Sequence, residues 1–548
     1  MTAVRRAARA LLTGLLVPGL LLAAPVLSAA GPAFGAPAAD RPLVETDRGA
    51  VRGRAQDGYR TFEGIPYAAP PVGALRWRPP EPAARWTGVR DAGAPGARCV
   101  QLPAIGPGGP SGSEDCLFLN VTAPDGNPAG ARRPVMVWFH GGGFVNGAGD
   151  LYRPYRLAAT GGAVVVTVNY RLGVFGLFGH PALGGAPDAT LLDQQAALRW
   201  VRANAARFGG DPGRVTVFGE SAGGLSVCAH LTSPASAGLF HRAIVQSGSC
   251  STTMPPRALL PGLGAYEPFV PQPRTVEAGA AAAARLGCGR SEPADELECL
   301  RGLDAGSLAT PELMQRFSLV SYGNALLPAE PRRALREGRF HRVPVIQGAT
   351  RDEMRLFLGQ TLAVYPVPDE QAYRARLYAS FGESAPRIEA AYPASAHPTP
   401  ALALAAVLTD VSFVCPALRD GRALGRHVPA YLYRFDDRDA PNYAGLPQIP
   451  GFPYGAAHGF ELPYLFDAPV VLTGPQRALA DRMADYWVRF ARTGNPNGPG
   501  APRWTASAPS SALSLAPGPG GIRPVDAGAE HHCALWESLS GAGGKAES

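Results

Sequence analysis

The sequence predicts an α/β fold in which a large, mostly parallel central sheet is covered by helices on both faces. Short runs at 134–139, 163–169 and 215–218 are apolar throughout, as is typical of strands buried on both faces. Segments with helical periodicity separate these runs. The chain has 548 residues, 46% of them hydrophobic, which is enough to fill a core of that size.

The predicted elements follow one another along the chain. Strands are predicted at 44–52, 59–65, 134–139, 163–169, 215–218, 242–246, 343–347 and 430–435. Helices are predicted through the periodic positions 192–208, directly after the turn at 219–223, and at 476–492. Residues 251–330 are richer in Pro, Gly and Ala, and we interpret them as an insertion over one end of the sheet.

The first forty residues predict export. Three arginines precede an apolar run from Ala10 to about Ala30, and small residues follow it. This order is typical of a secretory signal; a membrane anchor is the alternative, but Gly14 and Pro18 interrupt the run and favour cleavage. The predicted organisation is a signal peptide at 1–38, a single domain at 39–540 and a flexible tail at 541–548.

Charge and composition narrow the possible functions. Loss of the three signal arginines lowers the formal net charge from +7 to +4, and no dense basic cluster alternates with aromatics, so nucleic acid is not an expected partner. The one lysine, Lys545, lies in the polar tail, which excludes a P-loop, a Ser–Lys dyad and a Schiff-base lysine. No later stretch is apolar for eighteen residues, and the tail offers no oligomerisation helix. We therefore expect a secreted monomer with no stable membrane anchor.

Eight cysteines fit an oxidising destination. Their spacing is irregular and includes no Cys-x-x-Cys, so it does not indicate zinc ligands. The candidate pairs are Cys99 with Cys116, Cys288 with Cys299, and Cys415 with Cys533. The spacing does not fix the connectivity, and Cys228 and Cys250 are either a fourth pair or two buried thiols.

The segment Gly219-Glu220-Ser221-Ala222-Gly223 predicts a strained turn that presents a serine nucleophile. It follows the strand at 215–218 and precedes a helical stretch. The residues beside the serine must be small because the turn is tight, and the helix N-terminus beneath Ser221 favours developing negative charge. An ordinary glycine turn is the alternative, but the strand–turn–helix context favours the nucleophile.

A second glycine-rich segment, His140-Gly141-Gly142-Gly143-Phe144, follows the strand at 134–139. Consecutive glycines let bare N–H groups approach the oxyanion of a tetrahedral intermediate to about 2.7–3.1 Å. We assign the N–H groups of Gly142, Gly143 and Ala222 as these donors. A flexible loop is the alternative, and a phosphate-binding loop is disfavoured because no lysine accompanies it.

Together these motifs resemble the type-B carboxylesterase/cholinesterase family of the α/β-hydrolase fold, over roughly residues 42–540. Further matching motifs are Phe62-Glu63-Gly64-Ile65-Pro66, Glu114-Asp115-Cys116-Leu117, Asn169-Tyr170-Arg171, Leu192-Asp193-Gln194, Phe208-Gly209-Gly210-Asp211-Pro212 and Cys533-Ala534-Leu535-Trp536. The resemblance implies a secreted bacterial esterase that cleaves carboxylic esters through an acyl-enzyme intermediate. It implies no metal and no organic cofactor.

A serine nucleophile needs a base, and the base needs an orienting acid. In this fold class the chain order is Ser, acid, His, so the base is expected well after Ser221. His458 lies in a loop of small residues and occupies the position of the family's catalytic histidine.

The acid is expected in the loop that follows the strand at 343–347, where Asp352 and Glu353 are adjacent. The residues alone do not separate the two. The resemblance selects Glu353, although Met354 and Arg355 replace the small residues that the family often places after it.

The resemblance also gives supporting roles to two further residues. Glu220 matches a glutamate that helps to hold the imidazolium, and Ser247 matches its hydroxyl partner. Local hydrogen bonding within a packed turn is the alternative for each.

The expected substrate is a small ester with a short or medium acyl group, whose pocket the 251–330 segment shapes. Residues 100–115 contain no tryptophan to face a quaternary ammonium, so choline esters are disfavoured. The alternatives are a secreted lipase and a binding or adhesion protein without catalysis. The latter typically loses a triad member, whereas Ser221, Glu353 and His458 are all present.

Overall fold

The computed structural model describes residues 41–103, 108–126, 132–507 and 511–543. The predicted signal peptide at 1–38 lies outside the described residues, as do residues 544–548 of the predicted tail. Residues 541–543 are the end of the last helix.

Eleven strands form the main sheet of the described residues. In chain order they are β1 Arg54–Gln56, β2 Tyr59–Pro66, β3 Phe118–Pro124, β4 Arg133–Phe139, β5 Val164–Val168, β6 Gly210–Glu220, β7 Arg242–Gln246, β8 Val345–Thr350, β9 Ala430–Phe435, β10 Ser511–Leu515 and β11 Arg523–Asp526. A smaller sheet contains Leu43–Glu45, Ala50–Arg52 and Val89–Asp91.

The strand order in the main sheet is β11-β10-β9-β8-β7-β6-β4-β5-β3-β2-β1. The pairs from β5 to β10 are parallel, whereas β1, β2, β3 and β11 pair antiparallel with their neighbours. The predicted sheet, parallel in its centre, is confirmed. The chain has the α/β-hydrolase architecture.

The described helices of eight or more residues cover the sheet. They are α1 Ala189–Asn204, α2 Ala222–Thr232, α3 Gln272–Arg285, α4 Pro293–Gly302, α5 Met354–Thr361, α6 Glu370–Phe381, α7 Pro400–Thr409, α8 Cys415–Gly425, α9 Gly474–Thr493 and α10 Cys533–Gly543. The 251–330 segment contains α3, α4 and a two-stranded parallel sheet of Phe269–Pro271 with Val320–Tyr322.

Hydrophobic cores lie on both faces of the main sheet, and β4 shows why. Val135, Val137 and Phe139 belong to one core cluster, whereas Met136 and Trp138 belong to the other. Successive strand residues point to opposite faces, so a strand that is covered on both sides must be apolar at every position.

All eight cysteines are paired. The disulfides are Cys99–Cys116, Cys228–Cys250, Cys288–Cys299 and Cys415–Cys533. The open question about Cys228 and Cys250 is resolved as a bridge between α2, which follows Ser221, and the loop after β7.

One continuous helical segment of the described chain, Pro400–Gly425, is long and apolar enough to cross a membrane. It contains α7 and α8 joined by a π-helical turn at Asp410–Val414. The protein interior buries 89% of its most apolar window, as expected for a core helix.

Candidate functional site

Four neighbouring parallel strands bring the predicted site residues to one edge of the sheet. The glycine loop follows β4, Ser221 follows β6, Ser247 follows β7 and Glu353 follows β8. The strand ends are in register, since Phe139 pairs with Gly219 and Glu220 with Gln246. Loops at the carboxyl ends of parallel strands are where this architecture gathers reactive groups.

Ser221 has the strained backbone that the turn requires, with φ of +57° and ψ of −121°. Its neighbours leave no space for a side chain. A Cβ on Gly219 would lie 2.5 Å from the Gly223 backbone, and one on Gly223 would lie 1.9 Å from the Phe139 carbonyl oxygen. Strain of this kind persists only where the surroundings over-determine it, and it clusters at functional sites.

The glycine loop presents N–H groups at the same place. Gly142 and Gly143 have positive φ values of +104° and +61°. A Cβ on Gly142 would lie 2.2 Å from the Asn146 carbonyl oxygen, so only glycine fits there. Within the described parts of the chain, the N–H groups of Gly142, Gly143 and Ala222 have no protein acceptor.

His458 and Glu353 are joined by a short hydrogen bond. Nδ1 of His458 lies 2.5 Å from Oε2 of Glu353, and both side chains are buried. The other carboxylate oxygen, Oε1, accepts the backbone N–H of Thr350 at 2.7 Å. The His458 N–H donates to the Glu353 carbonyl oxygen at 3.3 Å, so the two loops are paired along their backbones as well.

The opposite nitrogen of the ring faces Glu220. Nε2 of His458 lies 3.1 Å from Oε1 of Glu220, although at an angle that makes no hydrogen bond. The hydrogen bonds of the described residues do not include one between Ser221 and His458. Two lone pairs 3.1 Å apart would repel, so one of the two groups must hold a proton. The bond from Nδ1 to Glu353 orients the ring.

The buried charges shift the pKa values of the cluster. Burial lowers the pKa of His458, but the carboxylates of Glu220 and Glu353 outweigh it and raise that pKa to about 9. Burial raises the pKa of the Glu220 carboxyl, against the opposing effect of His458. The site therefore favours a proton on the imidazole or on its glutamate neighbour.

A third buried carboxylate, Glu461, belongs to the same cluster, and the sequence analysis missed it. Its Oε1 accepts Nε2 of Gln246 at 3.3 Å, and its Oε2 has no partner among the described residues. Burial and the charges of Glu220 and Glu353 raise the pKa of Glu461. Its position three residues after His458, on the same turn, was the available signal.

Ser247 lines the same cavity but forms no bond to Glu220. Its backbone has a positive φ of +48°, and its buried Oγ has no hydrogen-bond partner within the described chain. The role expected from the resemblance, as hydroxyl partner of Glu220, stays a prediction.

The contacts of Asp352 and Glu353 distinguish the two adjacent acids. Asp352 turns away from His458 and pairs with Arg355 at 2.8 Å and Arg438 at 3.3 Å. Its Oδ2 also accepts the backbone N–H of Ala456 at 3.1 Å. One acid therefore contacts the imidazole, while the other fixes the loop that carries it.

Ser221 and His458 line one cavity of about 550 Å³, within the range typical of small-molecule sites. Its walls are mainly apolar and aromatic: Tyr152, Tyr266, Phe357, Phe413 and Tyr443, with Leu151, Leu225, Met254, Leu356 and Leu462. The Phe357 and Phe413 rings lie 4.9 Å and 5.1 Å from the His458 ring, measured between centroids. Glu220 and His458 are the ionisable acid and base among its lining residues.

The 251–330 segment contributes less to this cavity than its length suggested. Only its beginning, with Thr252, Met254 and Tyr266, reaches the lining. Much of the wall comes from α5, through Leu356, Phe357 and Gln360. Local periodicity does not reveal this wall, because α5 and Ser221 are far apart in the chain and line the same cavity only in the folded protein.

The matching family model decides the family. The model described as the carboxylesterase family matches residues 40–536. The chain belongs to the carboxylesterase family. It is similar to cocaine esterase of Oryctolagus cuniculus, with 37% identity over 497 residues, covering 84% of this chain and 90% of the relative.

A bacterial relative and two solved structures support the same family assignment. Para-nitrobenzyl esterase of Bacillus subtilis (strain 168) is 37% identical over 480 residues, covering 83% of this chain and 90% of that protein. A solved PNB esterase superposes with a TM-score of 0.72 at 32% identity, covering 90% of this chain and all of the other. A thermophilic PNB esterase gives 0.73 at 31% identity, with 90% of this chain covered. This member of the carboxylesterase family is a carboxylic ester hydrolase of the serine type.

Proposed function

We propose that Ser221 is the nucleophile, His458 the general base and Glu353 its orienting acid. The observation that carries the proposal is the 2.5 Å contact between His458 Nδ1 and Glu353 Oε2 beside a strained Ser221, in one apolar cavity. That contact fixes the tautomer with the proton on Nδ1 and leaves Nε2 for the serine. The N–H groups of Gly142, Gly143 and Ala222 form the oxyanion hole.

The reaction proceeds in two steps. In the first, Nε2 of His458 takes the Ser221 proton as Oγ attacks the ester carbonyl; the tetrahedral intermediate collapses, and the alcohol leaves with that proton. In the second, the same nitrogen takes a proton from water, hydroxide adds to the acyl-enzyme, and the acid leaves as Ser221 regains its proton. The residues named here complete both steps with no metal and no organic cofactor.

In this proposal, Glu220 stabilises the imidazolium of His458 that forms in each step. Its Oε1 already lies 3.1 Å from Nε2 and has no hydrogen-bond partner in the described chain. Ser221 lines the same cavity as His458, and catalytic hydrogen bonds often tighten only when substrate is bound, so the proposal has Oγ reach the same nitrogen in the substrate complex. Glu220 then stabilises positive charge on the ring without contacting the ester.

The substrate class follows from the cavity walls. Aromatic and aliphatic side chains surround Ser221, and the described residues that line the cavity include no lysine or arginine, so a neutral acyl group is favoured over an anionic one. We propose short and medium acyl chains. On p-nitrophenyl esters of rising length, kcat/KM should be at least about tenfold higher for butyrate than for palmitate. Equal rates would favour a lipase.

The location is also a proposal. Four disulfides support an oxidising, extracellular compartment. The charged, apolar and small-residue order of the first forty residues supports export by a cleaved signal. We also propose a monomer without a membrane anchor. N-terminal sequencing of the protein from culture medium would identify the cleavage site.

The experiment that tests the nucleophile compares two serines of one cavity. Ser221→Ala should lower kcat for p-nitrophenyl butyrate by about 10⁴-fold or more, because no other group can form the acyl-enzyme. Ser247→Ala removes a neighbouring hydroxyl with no hydrogen-bond partner and should cost at most about tenfold. Comparable losses in the two variants, or retained turnover in Ser221→Ala, would contradict the assignment.

A further inference from the structure

The loop after β7 forms one wall of the substrate cavity. We call residues 247–254 the wall segment, and its members at the cavity are Ser247, Gly248, Thr252 and Met254. This segment contains no helix and no strand. Loops are more mobile than the elements that they connect, so a wall of this kind keeps its shape only where other parts of the chain hold it.

A disulfide holds the wall segment against α2. Cys250 of the wall segment is bonded to Cys228 of α2, and both residues are buried. Leu225, which lines the cavity, lies three residues before Cys228 and therefore on the same face of the helix. The disulfide thus joins two elements that both contribute lining residues to the cavity.

The wall segment also packs closely against the start of α2. A Cβ on Gly248 would lie 2.3 Å from the Ser221 carbonyl oxygen and 3.1 Å from the Gly224 Cα. A Cβ on Gly224 would lie 2.7 Å from the Gln246 carbonyl oxygen. The two backbones are therefore in direct contact, and a shift of the wall segment changes the space beside Ser221.

Asp420 of α8 is a second anchor of the wall segment. Its Oδ1 accepts the Ser251 hydroxyl at 2.5 Å, and its Oδ2 accepts the Ser251 backbone N–H at 2.9 Å. The carboxylate is buried, so losing these donors would leave it unpaired at a cost in stability. Two successive residues, Cys250 and Ser251, are thus fixed to two different helices.

The proposed reaction directs the acyl chain toward this wall. The alcohol oxygen must lie near Nε2 of His458, which faces Glu220, because that nitrogen returns the proton to it. The carbonyl oxygen must lie at the N–H groups of the oxyanion hole. The acyl chain then extends along the remaining walls, which include Leu225 and the wall segment.

We propose that the Cys228–Cys250 disulfide and Asp420 set the upper limit of acyl length by fixing the wall segment beside Ser221. The inference rests on the proposed function, because it names residues that select among substrates of that same site. They do not line the cavity, so both anchors act as positioning groups. Removal of either anchor lets the wall segment move away from Ser221 and admits longer acyl chains.

The experiment compares two disulfides of the same chain. Cys228→Ala/Cys250→Ala removes the bond behind the wall. The matched control, Cys288→Ala/Cys299→Ala, removes a bond between the end of α3 and α4, two helices that contribute no residue to the cavity lining. The measured quantity is the ratio of kcat/KM for p-nitrophenyl decanoate to that for p-nitrophenyl butyrate. This ratio should rise about fivefold or more in the first variant and stay within about twofold in the control.

Two further measurements separate positioning from general destabilisation. Both double variants should melt at a lower temperature, because each loses a cross-link. With butyrate as the acyl group and the alcohol varied from methanol to benzyl alcohol, the relative rates should stay the same in both variants. An unchanged decanoate-to-butyrate ratio in folded Cys228→Ala/Cys250→Ala protein, an equal rise in the control, or a change confined to the alcohol series would overturn the proposal.

Ser251→Ala tests the second anchor and covers the case in which the double cysteine variant does not fold. It removes the hydroxyl bond to Asp420 while the backbone bond remains. The decanoate-to-butyrate ratio should therefore rise in the same direction, by about twofold to threefold. If this folded variant keeps the unaltered ratio, the wall segment does not depend on Asp420 and the proposal fails.

Failure of this inference is distinguishable from failure of the proposed function. Retained ester hydrolysis in Ser221→Ala would contradict the nucleophile whatever the ratios are. An inactive Ser221→Ala together with unaltered ratios in the wall variants would contradict this inference alone.

Discussion

The adjacent residues Asp352 and Glu353 bond to groups that line two different cavities. The larger, of about 550 Å³, is mainly apolar and is lined by the imidazole of His458 and the carboxylate of Glu220; the smaller, of about 190 Å³, is polar and is lined by three guanidiniums and three carboxylates. Glu353 bonds to His458, which lines the first, whereas Asp352 lines the second and pairs there with Arg355 and Arg438. Two carboxylates with similar chemistry thus acquire different roles from one step along the backbone.

The largest expected effect is on kcat, and it separates the roles of the two acids directly. Glu353→Gln should lower kcat by about 10⁴-fold, because an amide cannot stabilise the imidazolium and permits the wrong tautomer. Asp352→Asn is the matched control and should lower kcat by less than about tenfold, because its carboxylate does not contact His458. Steady-state kinetics on p-nitrophenyl butyrate measure both.

Asp352→Asn should instead reduce stability. It weakens the pairing with Arg355 and leaves partly buried guanidiniums with less compensation. A lower melting temperature with nearly normal kcat is expected. A reversed ranking of the two variants in kcat would show that Asp352 is the acid.

A smaller effect concerns pH. The base must be neutral to accept the serine proton, so kcat/KM should rise as pH rises through the His458 pKa, which the surrounding carboxylates raise to about 9. Glu220→Gln removes the neighbouring charge that raises this pKa most. The acid limb of the pH–rate profile should therefore move to lower pH, while the plateau falls by roughly tenfold as the imidazolium loses support.

Glu461→Gln should give the smallest change. Its charge also raises the pKa of His458, but by less than those of Glu220 and Glu353. The acid limb should shift in the same direction as in Glu220→Gln, by a smaller amount. An acid limb that stays at the same pH in both variants would show that neither carboxylate changes the pKa of His458.

Much of the fold was predictable because its central strands are apolar at every position. The predicted strands at 242–246 and 430–435 have the observed bounds, and the one at 215–218 lies inside β6. The strands β1, β3, β10 and β11 were not predicted. β10 and β11 are short, and β3 interrupts its apolar residues with Asn120 and Thr122.

The site residues were predictable where a short sequence motif determines the local backbone geometry. They were not predictable where their positions depend on residues distant in the chain. The small residues around Ser221 already imply a tight turn. In contrast, the direction of Asp352 and Glu353 depends on where α5 begins, and Glu461 matters because it is buried beside His458. The smaller cavity is lined by residues from 351 to 532, which no local sequence pattern connects.

The central claim is that Ser221 is activated by His458 held by Glu353. Labelling with a fluorophosphonate, followed by peptide mass spectrometry, tests it most directly, since only an activated serine reacts at a useful rate. The account predicts one adduct on Ser221, absent in Ser221→Ala, greatly slowed in Glu353→Gln and little changed in Asp352→Asn. Stoichiometric labelling of another residue, or an unlabelled Ser221 in protein that hydrolyses esters, would contradict it.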